Sequence, residues 1–156
     1  MMSDPHNLQR FIDAQANSYQ QALQELECGR KSSHWMWYIF PQIEGLGHSP
    51  TAQLYAIKSI DEARAFWHHP VLGERLRQCL TLTKQIIGDD AEAVFGYPDH
   101  MKFRSCLTLF DEAIDNNTLC SEVLDKFFDW FPCQLTLDIL KTHSWSRLSM
   151  VAEYLI

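Results

Sequence analysis

Apolar residues recur at helical spacing along most of this chain of 156 residues. Leu8, Phe11 and Ile12, then Tyr19, Ala22, Leu23 and Leu26, fall three or four positions apart and line one helical face. Asn17-Ser18 interrupts the run, with Ser18 as the predicted cap of a second helix that ends at Gly29. Ser49-Pro50 sets a capping hydroxyl before a proline at the first helical position. Ser59-Ile60-Asp61-Glu62 reads as a capping box, in which Ser59 accepts from the amide three residues on and Glu62 reaches back. His69-Pro70 opens a helix whose apolar positions Val71, Leu72, Leu76, Leu80 and Ile87 lead to Gly88 as the stop. Pro98-Asp99 opens another, with Met101, Phe103, Leu107, Leu109, Phe110 and Ile114 spread broadly round it. Asn116-Asn117 ends that helix, Leu119–Phe128 forms the next, and Leu135–Leu140 and Leu148–Leu155 carry weaker helical patterns.

No stretch alternates apolar and polar residues between Asn-Gly or Asp-Gly turns, so hairpins have little support. The run Trp35-Met36-Trp37-Tyr38-Ile39-Phe40 is ambiguous, because periodicity does not separate a buried strand from a buried helix. Ser32-Ser33 before it and Pro41 after it favour a short helix. No repeat, low-complexity tract or Pro/Gly/Ser-rich linker divides the chain. The prediction is an all-α fold, a compact multihelical single domain over residues 1–156 with about seven to nine helices.

Composition narrows the function classes. Thirteen Lys+Arg against 20 Asp+Glu give a net charge of −7, which argues against a general nucleic-acid binder. Five Trp, nine Phe and five Tyr beside six Gly and six Pro describe a folded body rather than a disordered chain. The apolar runs are far too short for a bilayer span, and residues 1–6 carry neither the basic nor the apolar region of a secretory signal. The five scattered Cys include no C-x-x-C, which points to reduced thiols in a cytoplasmic protein. No metal is expected: His68 and His69 are adjacent and diverge, and no His-x-x-x-His pair occurs. Cys106 reads as buried beside Leu107 and Leu109, and Asp61, Glu62, Asp111 and Glu112 as solvated helix faces or caps.

Three segments are candidates for chemistry. His34, Trp35, Trp37 and Gln42 stand in one aromatic stretch, which is either core or a wall for a planar ligand with polar groups at its ends. Gly45-Leu46-Gly47-His48-Ser49 runs straight into a helix start, where free amides suit an anion, although a plain turn explains the same residues. It lacks the third glycine of a dinucleotide fingerprint and the Gly-Lys-Ser/Thr ending of a P-loop, so no cofactor is named. Asp99 and Lys102 are three apart on a first helical turn and can pair; beside an apolar wall such a lysine serves as acid, base or nucleophile. Arg104 adds a planar donor for carboxylate or phosphate.

These segments resemble the signature of the domain of unknown function 1810 family. The shared strings are His34 to Gln42, Gly45-Leu46-Gly47-x-Ser49, Tyr55-Ala56-Ile57 and Glu62-Ala63. They continue with His69-Pro70-Val71-Leu72-Gly73-x-Arg75-Leu76, Phe95-Gly96-x-Pro98-Asp99-x-x-Lys102 and Ser105-x-x-Thr108-Leu109-Phe110. The resemblance covers residues 7–141 and implies a mainly α-helical fold, leaving 142–156 as a C-terminal extension. The chain departs from the pattern at Trp130-Phe131-Pro132-Cys133-Gln134, where members often carry a turn with Gly or Asp. Some members bear a calpastatin label, whereas calpastatins are disordered and aromatic-poor.

A signature so rich in polar and aromatic residues favours a pocket formed by Trp35–Gln42, Gly45–Ser49 and the Asp99–Lys102 turn. Its expected occupant is a small anionic ligand, nucleotide or ADP-ribose-like. The aromatic wall would stack the base, the helix start or Arg75 and Arg104 would hold phosphate, and Lys102 with Asp99 would act at a glycosidic bond. The competing reading is a non-catalytic interaction or regulatory module whose exposed aromatics anchor another chain, with no protein partner indicated. A cleft joining Trp37, Gly47 and Lys102 favours the first, a flat exposed patch the second, and full burial without a cavity neither.

Overall fold

The computed structural model describes residues 3–143. Within them the helices are α1 (Gln9–Gln15), α2 (Tyr19–Glu27), α3 (Met36–Ile39), α4 (Pro50–Leu54), α5 (Ile60–His68), α6 (Leu72–Gln85), α7 (Ala91–Phe95), α8 (Asp99–Ala113) and α9 (Thr118–Phe128). A further helical segment spans 134–143. The fold is all-α as predicted; among the described residues the β content is one parallel bridge between Ile43 and Ile57. The helix predicted over Leu148–Leu155 lies outside the described residues.

Helix α8 is the centre of the molecule. From Ser105 to Phe110 every residue is buried, so α5, α7, α9 and α3 pack on different sides of it. Aromatic contacts bind these layers. Phe103 meets Phe95 at 4.3 Å and Phe40 at 4.9 Å between ring centroids, while Phe110 meets Phe66 at 5.6 Å and Trp67 at 5.8 Å. Trp35, Met36, Ile39 and Phe40 are buried in the same hydrophobic cluster, and α3 is the short helix that the flanking serines and proline favour.

Local capping chemistry explains most helix starts. Ser49 Oγ accepts from the Ala52 amide and Ser59 Oγ from the Glu62 amide, each at 3.1 Å. His69 Nδ1 accepts from the amides of Val71 and Leu72 and so caps α6. Three expectations are corrected. Ser18 does not cap α2 through its side chain; its hydroxyl donates back to the Ala14 carbonyl at 2.8 Å. Helix α6 stops at Gln85 because Ile86 turns extended, which leaves Ile87 fully exposed well before the helix could reach Gly88. Glu62 neither completes the capping box nor faces solvent: it is buried, and its carboxylate accepts from Arg10 Nη2 at 2.8 Å. Arg10 also donates to the carbonyls of His6, Asn7, Leu54 and Ala56, so one guanidinium ties the N-terminal turn, α4 and α5 together. Helix α7, capped by Asp90, has no counterpart among the predicted elements.

Helices α5 and α6 are joined through a close backbone approach at Gly73. A Cβ there would sit 1.8 Å from the Trp67 carbonyl oxygen, the same oxygen that accepts from Arg77 Nη1. Gly73→Ala is therefore expected to cost about 3 kcal/mol. Urea unfolding checks this: the midpoint should fall at unchanged slope, and an unchanged midpoint would contradict the close packing.

Candidate functional site

The site begins with a carboxylate on the buried face of α2. Glu25 Oε1 accepts three N–H groups, from Ser32 at 2.6 Å, Ser33 at 2.9 Å and the Trp35 indole at 3.0 Å. Its second oxygen is buried without a partner. Burial would push this carboxyl up, but the Ser32 and Ser33 donors and the Trp35 indole outweigh it and hold the group below the ordinary glutamate range. The bonds fix the turn after α2 and pin Trp35, which is almost wholly buried.

That turn delivers Lys31. Its amide donates to the Val94 carbonyl of α7 at 2.7 Å, and its ammonium lies 2.7 Å from Asp99 Oδ2 and 5.2 Å from the centre of the Trp35 ring. Asp99, on the first turn of α8, presents its other oxygen to Lys102 at 3.5 Å. The Lys102 ammonium in turn lies 4.9 Å from the centre of the Trp37 ring. One carboxylate thus serves two ammonium groups, each set against an indole. The structure brings Trp35, Trp37, Asp99 and Lys102 together and adds Lys31, which the sequence reading missed. Lys31 has no helical periodicity around it; only its place between the α2 stop and the Ser32-Ser33 turn marks it.

The remaining predicted residues lie elsewhere. His34 is exposed, and its carbonyl accepts from the Tyr38 hydroxyl. Gln42, Gly45, Gly47 and Ser49 form a separate neighbourhood around α4. A Cβ at Gly47 would come within 2.5 Å of Ala52 Cβ, and Gly45 has φ +109, so close packing explains the first glycine and backbone conformation the second. Ser49 is spent on its cap. Arg75 Nη1 donates to Gln15 and its guanidinium covers Tyr19, while Arg104 Nε donates to the Phe131 carbonyl at 2.7 Å. Among the described residues, cavities of about 500, 680 and 460 Å³ open on the surface, and none of these is lined by Trp37, Gly47 or Lys102. The first lies between Ser59, Arg64, Glu112 and Lys141. Among the described residues no group of three His, Cys, Asp or Glu is gathered as metal ligands would be, and no helix is long and apolar enough to cross a membrane.

The model of a protein family of unknown function, DUF1810, matches residues 5–140, a span that holds every residue of the cluster. The chain belongs to the DUF1810 family. It is also similar to the crystal structure of the conserved hypothetical protein Rv1873 from Mycobacterium tuberculosis, with a TM-score of 0.87 and 43% identity, over 88% of this chain and 99% of that one. Among curated proteins none matches. Neither description names an activity, so in this DUF1810 member function has to be argued from the side chains.

Glu25 makes the site pH-sensitive in a stated direction. Its folded carboxyl is depressed, so the stability it contributes is present above the unfolded value of about 4.3 and is lost as pH falls through the folded one. Glu25→Gln is expected to flatten the loss of stability below about pH 4.5, read as urea midpoints against pH. Trp35→Phe, which removes one donor and leaves a cavity where the indole was, should cost about 2–4 kcal/mol at neutral pH. Parallel acid limbs for wild type and Glu25→Gln would show that the carboxylate does not carry this role in DUF1810 proteins.

Proposed function

We propose that the protein binds a small anionic ligand of the nucleotide or ADP-ribose class at the rim formed by Lys31, Asp99, Lys102 and Trp37. The observation that carries this reading is the shared carboxylate. Two ammonium groups and one carboxylate leave a charge of 2 − 1 = +1 in the cluster, which a phosphate oxygen would complete. Lys31, with a side chain 7% exposed, is the fixed member; Lys102, 25% exposed, is the one able to turn toward an entering anion. Trp37 is half-buried and offers a ring beside that ammonium for a planar base. His34, Gln42, Gly45, Gly47 and Ser49 lie away from this rim and have no part in the arrangement. Trp35 supports Lys31 from below. Arg75 and Arg104 are engaged with other partners and have no part in this arrangement. Reaction at a glycosidic bond of the ligand would fall to Asp99 and Lys102, the acid–base pair at the rim. The five free cysteines fit a cytoplasmic setting.

Titration calorimetry with ADP-ribose, AMP and inorganic phosphate tests the reading. The nucleotides should bind more tightly than phosphate alone, and a ligand held at 100 times its Kd should stabilise the protein by about 2.7 kcal/mol. Lys102→Ala and Trp37→Ala should each weaken binding by about tenfold or more while the free protein stays folded. Absence of heat and of thermal stabilisation with all three, or unchanged affinity in Lys102→Ala, would overturn it.

A further inference from the structure

The cavity of about 680 Å³ is a groove between the C-terminal half of α8 and the start of α9, and the rim site does not involve it. Asp111 and Glu112 of α8, Asp115 of the connecting turn and Glu122 of α9 line it, and no Lys or Arg does. Asp111 accepts from Ser121 Oγ at 2.9 Å, which joins the two walls, while Glu122 is paired with Lys84 of α6. Four carboxylates against that one ammonium leave −4 + 1 = −3 at the groove, in a chain whose whole net charge is −7. Glu112 and Asp115 are exposed and enter no ion pair among the described residues.

Carboxylates alone would attract any cation, but an aromatic side chain shares this groove. Trp130 lines it and is 57% exposed; Phe131 and Leu135, which follow in the chain, are each 65% exposed. Trp130 has φ +69, directly after Asp129 at φ 51, a left-handed backbone that a bulky side chain adopts only at a cost. The segment is nonetheless fixed. The Trp130 amide donates to the Leu124 carbonyl at 3.3 Å, Arg104 Nε to the Phe131 carbonyl at 2.7 Å, and the Cys133 amide to Thr108 Oγ1 at 2.8 Å. Two large apolar rings are therefore held in solvent on an ordered backbone, so little freedom is lost when a partner covers them.

Charge selects that partner. Nucleic acid, an anionic membrane and a second copy of this chain all carry the sign that the groove repels. A small polycation would meet the carboxylates and leave the rings uncovered. We propose that the α8–α9 groove docks a basic amphipathic segment of a partner protein, with its cationic side chains among Asp111, Glu112 and Asp115 and its apolar face on Trp130 and Phe131.

Fluorescence anisotropy with a labelled amphipathic Lys/Leu peptide of about four helical turns gives the test, with a Glu/Leu peptide of the same pattern beside it. The Lys/Leu peptide should bind and the Glu/Leu peptide should not. The double variant Glu112→Gln, Asp115→Asn should weaken binding about tenfold. Glu27→Gln with Glu44→Gln, an equal change in net charge at exposed positions outside the groove, should alter it by less than about twofold. Trp130→Gly removes the ring where the backbone suits glycine, so it should weaken binding about tenfold without lowering the Tm. Equal losses in the two charge variants would reduce the effect to diffuse attraction and overturn the proposal, as would full binding by Trp130→Gly. Displacement of the peptide by spermidine at equal concentration would assign the groove to a small polycation instead. A dimer of the protein alone that Trp130→Gly disperses on a sizing column would assign the surface to a second copy, and either result overturns the partner segment.

Discussion

From Ser105 to Phe110 every residue of helix α8 is buried, and a helical stretch buried all round is stable only inside a shell of partners. The rest of the molecule meets that demand. Phe40 from the α3 end, Phe95 from the α7 end and Phe127 from α9 close on Phe103, while Phe66 and Trp67 of α5 close on Phe110. The first turn of α8 reaches the edge of the shell, where Asp99 and Lys102 carry charge. The rim site is therefore a consequence of where the apolar pattern of the central helix begins.

Charges inside the shell are placed by the same logic. Burying a carboxylate is costly unless donors surround it, and both buried glutamates recruit distant segments for the purpose. Glu25 gathers the amides of Ser32 and Ser33 and the Trp35 indole, and so aims Lys31 at Asp99. Glu62 takes Arg10, whose remaining donors satisfy carbonyls left open at the N-terminal turn and around the short helix α4. The polar groups hold the loops, and the aromatic groups hold the helices.

What could be read from the residues follows from range. The caps at Ser49 and Ser59 and the Asp99–Lys102 pair are local, since every partner lies within three residues. The aromatic run was legible as core or as a ligand wall, and its flanks favoured a helix; that Trp35 is buried while Trp37 is half-buried was not. Non-local partners were not legible. Glu62 looks like half of a capping box until Arg10, 52 residues away, claims it. Arg75 and Arg104 look like phosphate donors until Gln15, Tyr19 and the Phe131 carbonyl occupy them. Lys31 carries no pattern at all, since its partner Asp99 comes near only through the fold.

The two proposed sites share α8 yet are separable on it. Asp99 and Lys102 lie on one side of its first turns, whereas Ser105 and Thr108 project toward the 131–136 segment from another. The backbone between them is committed: Ser105 and Thr108 both hydrogen-bond to carbonyls four residues back, at Met101 and Arg104. Lys102 is the partly exposed member of the rim cluster, whereas the helix that carries it is enclosed by aromatic contacts that resist movement. The charge at the rim is therefore set on the edge of a rigid central helix.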